Sequence, residues 1–446
     1  MVEVGPARGR DLTRRGYVQA SMTAPAEGTA EQIVDTTTFR TGPSLGPRHL
    51  ALTPSTPAAD LSCPLNTLTH AAEQQKGYLS APVSDDPVWR PRLVVLVPAY
   101  NEEASIGRTL DGLMLQTRPA DQIVVIPNGC TDQTAWIARQ YPVTVMELPR
   151  LEHRKSEALN RAWEKHAFDA DVLVCLDADT LLPPNALEAW AREFTDDNDG
   201  ALGGSSSKFS MQDPGILSRL QKAEFATWTD VALRRGRTTV LAGTGCAIRN
   251  SVLHQVAARE DREGPWAYTS QVEDFELTYR IRELGYRCQV SPDVRAYTDS
   301  MKTIKALWGQ RMKWQVGTVE DLLHLGVNRL TLRDWSQQAA GLLNVLMRLL
   351  GILVLGASAV LGIFKFVLFW WLVPILFIAL DIKRALRIPH CDWKDIVLAI
   401  TFLPQEIFMW LRSGWFLASW SAVLMSKITR RRIDRWEAQY TAEEMS

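Results

Sequence analysis

A chain of 446 residues, 46% hydrophobic and 22% charged, holds material for two or three domains of about 100–200 residues each. Its 49 Lys+Arg against 50 Asp+Glu leave a formal charge of −1, which argues against a generic nucleic-acid binder. Six cysteines without a CxxC pair argue against a disulfide framework or a structural zinc site and fit a reducing compartment.

Residues 1–90 read as a weakly ordered arm. Pro, Gly, Thr and Ser fill 33 of these 90 positions, and no period of 2 or 3.6 is sustained. The start is basic but lacks the apolar run of a secretory signal. One stretch of the arm, Leu50–Leu79, has the composition to fold against the body.

From Pro91 short apolar runs alternate with amphipathic segments. Leu93–Val97 predicts a strand buried on both faces. Ile106, Leu110, Leu113 and Met114 predict a helix over Glu103–Leu115. A strand over Gln122–Ile126 follows, then a helix from about Asp132 with Thr131 or Asp132 as its cap. Val143–Leu148 predicts a third strand, Lys155–Phe168 a third helix and Val172–Leu176 a fourth strand. This order predicts an α/β fold with a doubly wound, mostly parallel sheet over 91–317. Ligands of such sheets bind at the carboxyl ends of the strands.

Beyond about residue 336 the charge thins: Ser336–Ser426 carries 11 charged residues in 91. Ala339–Phe364, interrupted by Arg348 alone, is about 39 Å long as a helix, enough for a hydrocarbon layer of about 30 Å. Lys365 interrupts, Phe366–Leu380 is apolar again, and Ile396–Ser426 is broken by Pro404, Gln405, Glu406 and Arg412. Six of the 16 tryptophans lie in this region, as interfacial anchors would. A buried helical bundle of a soluble protein is the alternative. Basic groups at Lys383, Arg384 and Arg387 and along Lys427–Arg435 belong on the cytoplasmic side by the positive-inside rule. The expectation is an interfacial segment at 318–338, transmembrane or re-entrant helices at 339–426 with three or four spans, and a basic cytoplasmic tail at 427–446. The protein is then a multi-pass protein of the cell membrane, with its N-terminus and catalytic domain cytoplasmic.

Chemistry concentrates at the predicted strand ends. Asp177-Ala178-Asp179 follows the fourth strand; carboxylates at i and i+2 of an extended segment share a side, which suits a hard divalent cation. Alone, the pattern also fits a solvated loop. Pro98-Ala99-Tyr100-Asn101-Glu102 follows the first strand and Asn128-Gly129-Cys130-Thr131-Asp132 the second. Lys155 opens a helix against the dipole, so it is either solvated or faces an anion. Glu273-Asp274 fits a helix N-terminus as readily as a catalytic pair, and Trp314 fits a membrane interface as well as a sugar platform.

Five landmarks in order resemble the catalytic domain of family 2 glycosyltransferases of GT-A fold, over residues 92–317. They are VPAYNEE at 97–103, the Asp177–Asp179 motif, Ala242-Gly243-Thr244-Gly245, Glu273-Asp274, and Gln310-Arg311-Met312-Lys313-Trp314. The similarity is to the membrane-integrated cellulose, chitin, hyaluronan and poly-N-acetylglucosamine synthases. It implies an inverting transferase that uses Mg²⁺ or Mn²⁺ and a nucleotide-sugar donor, with a UDP-sugar the first expectation. It implies donor contacts from Pro98, Tyr100, Glu102, Asn128, Lys155, Asp177, Asp179, Arg311 and Lys313. Asp177 and Asp179 would hold the metal and Asp274 would be the general base. Gly243, Thr244, Glu273, Gln310 and Trp314 would face the acceptor.

Three departures stand out. Lys313 replaces the arginine of the QxxRW pattern and loses its planar fork. Asn128 stands where many relatives read the base with aspartate, and Ala242 where several polymer synthases have cysteine. The expected partners are the donor, a glycan, lipid or protein acceptor, and membrane lipids, with no nucleic acid; a homo-oligomer is compatible. Polysaccharide synthesis, non-processive transfer to a lipid or protein, and a degenerate membrane scaffold are the three alternatives.

Overall fold

Residue alternation along the first strand builds two core layers. In β1 (Leu93–Ala99), Val95 and Val97 pack with Ile106, Leu110 and Trp190 on one face. Val94 and Leu96 pack with Leu159, Trp163 and Ile248 on the other, because successive β side chains point oppositely. The computed structural model describes residues 90–363, 369–430 and 435–444. The arm before them, with Leu50–Leu79, lies outside the described residues.

The first half keeps the predicted order: α1 (Ile106–Met114), β2 (Gln122–Pro127), α2 (Thr134–Ala138), β3 (Thr144–Val145), α3 (Arg154–Ala162) and β4 (Val172–Cys175). Three local differences stand out. β3 is two residues long, although Met146 and Leu148 still donate backbone hydrogen bonds to Val125 and Pro127 at 2.9 and 2.8 Å. As an edge strand it has one neighbour to hold it. α2 starts after Gln133, and Asp132 acts from one residue further out, accepting from Thr134 N at 3.0 Å. The predicted third helix changes to a π turn over Trp163–Ala167.

The second half adds α4 (Ala186–Thr195), β5 (Leu202–Met211), α5 (Ile216–Arg235), β6 (Cys246–Arg249), α6 (Asn250–Ala257), α7 (Glu273–Glu283) and β7 (Arg287–Thr298). The seven-stranded sheet runs β3-β2-β1-β4-β6-β5-β7. It is parallel except at β6, which is antiparallel to both β4 and β5. The strand order reverses between β1 and β4, so a crevice opens at the ends of these two strands. Those ends carry Pro98–Tyr100 and Asp177–Asp179.

The remaining helices are α8 (Ile304–Leu325), α9 (Leu332–Val360), α10 (Phe369–Ala385), α11 (Trp393–Ile400), α12 (Phe402–Thr429) and α13 (Arg435–Glu444). α8 runs through the expected boundary at 317 and packs on α12, Leu307, Met312 and Val316 meeting Phe408, Trp415 and Val423. α9 starts at Leu332, ahead of the expected Ala339. Among the described residues it is the one helix long and apolar enough to cross a membrane by itself, and Leu346, Leu350 and Leu353 on it are exposed. α11 and α12 meet at 74° and pass the same test together. The expected tail divides: part of its basic run, 431–434, lies outside the described residues, while α13 packs against α8 beside the sheet crevice.

Candidate active site

All fifteen residues singled out from the sequence line one cavity of about 810 Å³ at this crevice. Pro98, Tyr100 and Glu102 come from the end of β1 and Asn128 from the end of β2. Asp177 and Asp179 follow β4, and Gly243 and Thr244 precede β6. Glu273 and Asp274 open α7, and Gln310–Trp314 lie on α8.

Lys155 sits at the centre of the charges. Its ammonium lies 2.6 Å from Asp177 Oδ1 and 3.1 Å from Glu273 Oε1. Burial works against the charged form, but Asp177 and Glu273 outweigh it and hold Lys155 well above its usual range. Of the two sequence readings of this lysine, the structure selects the one with anions beside it. Gly243 closes over the same pair: a β-carbon there would fall 2.8 Å from Lys155 Nζ and 3.0 Å from Asp177 Oδ2.

Asp177–Thr180 is a turn, with Thr180 N donating to Asp177 O at 3.1 Å, and not the extended segment expected. Asp179 reaches the cavity through that turn. Thr180 and Thr298 hydroxyls donate to its two oxygens at 3.0 Å each. Burial and the charge of Asp177 push its carboxyl up to about 6. Asp179 is thus a buried carboxyl beside a second carboxylate, with no cation of its own among the described residues. The oxygen-only chemistry of the two fits Mg²⁺ or Mn²⁺, which complete their shells with water and phosphate oxygens. Among the described residues no third His, Cys, Asp or Glu joins them.

Asp274 is anchored through its neighbours. Its Oδ1 accepts from Phe275 N at 2.8 Å, and burial followed by the Glu273 charge pushes it up to about 6. A buried carboxylate with that value takes a proton readily near neutral pH, as a general base must. Thr278, one turn on, donates to Asp274 O and accepts from Leu241 N, tying α7 to the Ala242–Gly245 loop.

The α8 motif divides in two. Arg311 is 3% exposed. It donates to Glu224 of α5 at 2.9 Å and lies 4.5 Å from the Trp314 ring centroid. Arg412 of α12 shares Glu224 at 3.3 Å. Lys313 lies 3.3 Å from the centroid of Trp436 on α13. Asn128 is buried, and its carboxamide oxygen accepts from Leu151 N at 3.1 Å, holding the loop that carries Arg150 and Arg154.

Several cavity residues lay outside the sequence reading. Arg150 and Arg154 follow β3, and their place after a strand was the signal that could have found them. Glu224, Gln271 and Arg412 carried no local pattern. The largest omission is α13, whose Trp436, Gln439 and Tyr440 line the cavity.

The chain is similar to known proteins in sequence and in fold. A probable glycosyltransferase, YdaM, of Bacillus subtilis is 27% identical over 253 residues, covering 52% of this chain and 57% of YdaM. Poly-beta-1,6-N-acetyl-D-glucosamine synthase of Staphylococcus aureus is 25% identical over 239 residues, covering 52% of this chain and 55% of the synthase. The chain thus spans about half the length of the curated relatives it matches. In fold it is similar to the mannosyltransferase PcManGT of Pyrobaculum calidifontis, solved with GDP-Man and Mn²⁺. That match has a TM-score of 0.52 and 21% identity, and covers 81% of this chain and 96% of that one. The family model described as glycosyltransferase like family 2 matches residues 91–317, and with half of its length matched, this chain belongs to that family.

Proposed function

We propose that the protein moves a glycosyl group from a nucleoside-diphosphate sugar, with inversion, to an acceptor hydroxyl at the cytoplasmic face of a membrane. The observation that carries this reading is the gathering of Lys155, Asp177, Asp179 and Asp274 around one cavity at the strand-order reversal. Asp177 and Asp179 would hold Mg²⁺ or Mn²⁺, which supplies positive charge for the departing diphosphate. Asp274 takes the proton of the attacking hydroxyl, and its raised pKa suits that task. Lys155 keeps Asp177 in place and offsets charge beside it. Tyr100, Glu102 and Asn128 lie at the nucleoside end, where a UDP-sugar is the first candidate. Trp314 forms an apolar platform for the acceptor, with Gln310, Thr244 and Gly243 near it. Arg311 acts through Trp314 and holds the ring from behind.

Three further features favour a membrane setting and a glycan acceptor. α9 leaves an apolar face uncovered over most of its length. Beyond Trp314 the cavity continues to Gln337 and Gln338 of α9 and Trp415 of α12. The poly-N-acetylglucosamine synthase relative makes a polymer by its printed name.

A donor screen tests the reading. The full chain in detergent, given a panel of uridine- and guanosine-diphosphate sugars, Mn²⁺ or Mg²⁺ and membrane extract, is expected to release nucleoside diphosphate only with metal present. Asp274→Asn should abolish that release. Product longer than one added sugar supports polymerisation, and strict single addition assigns non-processive transfer. Turnover of no donor in the panel, or full activity in Asp274→Asn, overturns the proposal.

A further inference from the structure

Helix α13 arrives at the cavity from the far end of the chain, and the reading above gives it no role. Its Tyr440 ring lies 4.7 Å from the Tyr100 ring, centroid to centroid, and Arg150 lies 5.5 Å from the same Tyr100 ring. Its Glu437 pairs with Arg150 and, at 3.0 Å, with Arg154. Its Trp436 receives the Lys313 ammonium on its ring face. One ten-residue helix therefore meets the end of β1, the loop before α3 and the α8 motif together.

The seat of this helix is close. A β-carbon on Gly309 of α8 would lie 3.2 Å from Ala442 Cβ and 3.4 Å from Gln439 Cα. Glycine there lets the two helix backbones approach, and Gln439 and Ala442 are both buried in the contact. A ten-residue helix is marginal in water by itself, so this packing is what orders it.

Such a helix either fills the nucleoside end of the cavity or walls it. The lining decides between these. With α13 seated, Tyr100, Glu102 and Asn128 still line the same open cavity as Trp436, Gln439 and Tyr440. A helix that filled the nucleoside end would have taken these residues off the cavity wall. We infer that α13 is the nucleoside-side wall of the donor site, with Tyr440 a specificity-determining residue and Glu437 a positioning residue. The inference rests on the donor-site reading given above.

The chemistry of the two residues differs. Tyr440 and Tyr100 offer aromatic surface to a planar base; stacking on such rings is strong for any base, so discrimination comes from the room the wall leaves. A purine is one ring larger than a pyrimidine, so the position of the Tyr440 ring sets which base fits. Glu437 contacts no base. It fixes two guanidinium groups that would otherwise repel each other and Lys155.

The test measures binding of uridine diphosphate and guanosine diphosphate, each with Mn²⁺, to the full chain in detergent by calorimetry. Tyr440→Ala should weaken the preferred nucleotide by about tenfold and bring the two affinities together. Tyr440→Phe should keep both the affinity and the preference. Glu437→Gln should weaken both nucleotides by about threefold and leave their ratio unchanged. If Tyr440→Ala lowers the melting temperature, Tyr440→Leu carries the test: it keeps an apolar side chain in the helix contact but no ring, and it should likewise bring the two affinities together, an unchanged ratio overturning the specificity role. Unchanged binding, tighter binding, or equal weakening of both nucleotides in Tyr440→Ala overturns the specificity role, with tighter binding identifying a plug. A wild-type protein that binds neither nucleotide overturns the donor-site reading and this inference with it.

Discussion

Arg311 and Glu224 form a buried ion pair at 2.9 Å, with the two side chains 4% and 3% exposed. Glu224 also takes Arg412 of α12, so one carboxylate joins the sheet domain, the α8 motif and the apolar helices. The Arg311 guanidinium lies 4.9 Å from Phe225 and 4.5 Å from Trp314, and it fixes the Trp314 ring by cation–π contact. Removing the carboxylate leaves the buried Arg311 cation without compensation, next to the partly exposed Arg412. Glu224→Ala is expected to cost about 3–5 kcal/mol of stability, whereas Glu224→Asp should retain part of the pair. Thermal melting of both variants in detergent checks the order.

Gly243 lies against the ion pair at the centre of the site. Its missing β-carbon leaves room for Lys155 Nζ and the Asp177 carboxylate, which would otherwise stand 2.8 and 3.0 Å away. Gly243→Ala should displace one of them and lower donor turnover by about tenfold or more, with a small change in melting temperature. Gly351→Ala is the control, since a β-carbon there meets nothing within 4 Å. Equal activity of the two variants would contradict the crowding argument.

The pH profile follows from Asp274. Burial and Glu273 push it up to about 6, so below that pH it is protonated and cannot take the acceptor proton. Transfer should therefore fall by about tenfold per pH unit below about 6 and level off above it. Replacing Glu273 with Gln removes a like charge and should move the acid limb to lower pH. Initial rates across pH 4.5–8 at fixed ionic strength (about 0.15 M) read this directly. A limb that stays in place in Glu273→Gln separates the titration from Asp274.

The first four strands were legible in chain order, most clearly where a buried strand reads as an unbroken apolar run, LVVLV in β1 and VLVC in β4. Parallel strands covered on both faces leave that mark. The site residues at the strand ends were legible for the same reason, since the sheet dictates where its polar ends converge. β6 running antiparallel was not, because Cys246–Arg249 is four residues long and direction leaves no trace in composition. The turn at Asp177–Thr180 replaced an extended segment through a single backbone hydrogen bond. Arg311 was expected at the donor because the motif alone does not show Glu224, which lies 87 positions earlier. α13 was invisible for a stronger form of that reason: Arg150 and Glu437 are 287 positions apart.

Arg348 poses the membrane question most sharply. It interrupts the apolar run of α9, yet its side chain is 18% exposed and donates to Glu406 of α12 at 2.6 Å. It also lies 5.6 Å from the Trp410 ring centroid. A charge at depth in a bilayer costs about 2.5–3.5 kcal/mol on insertion scales, and a partner on the next helix offsets it. Arg348→Leu leaves Glu406 with no cation across the contact, and Glu406→Leu leaves Arg348 in the reverse position. Each single variant should lower the melting temperature and the yield of membrane-extracted protein. The double variant Arg348→Leu with Glu406→Leu should recover most of that loss, because a pair replaced by apolar groups of similar volume is close to neutral. Were α9 and α12 instead packed in water with the exposed Leu346, Leu350 and Leu353 covered by another protein, alkaline washing without detergent would release the chain from the membrane fraction. Retention through that wash, with recovery of the double variant scored against the two single variants, distinguishes a helix pair seated in lipid from a bundle that needs another protein to cover it.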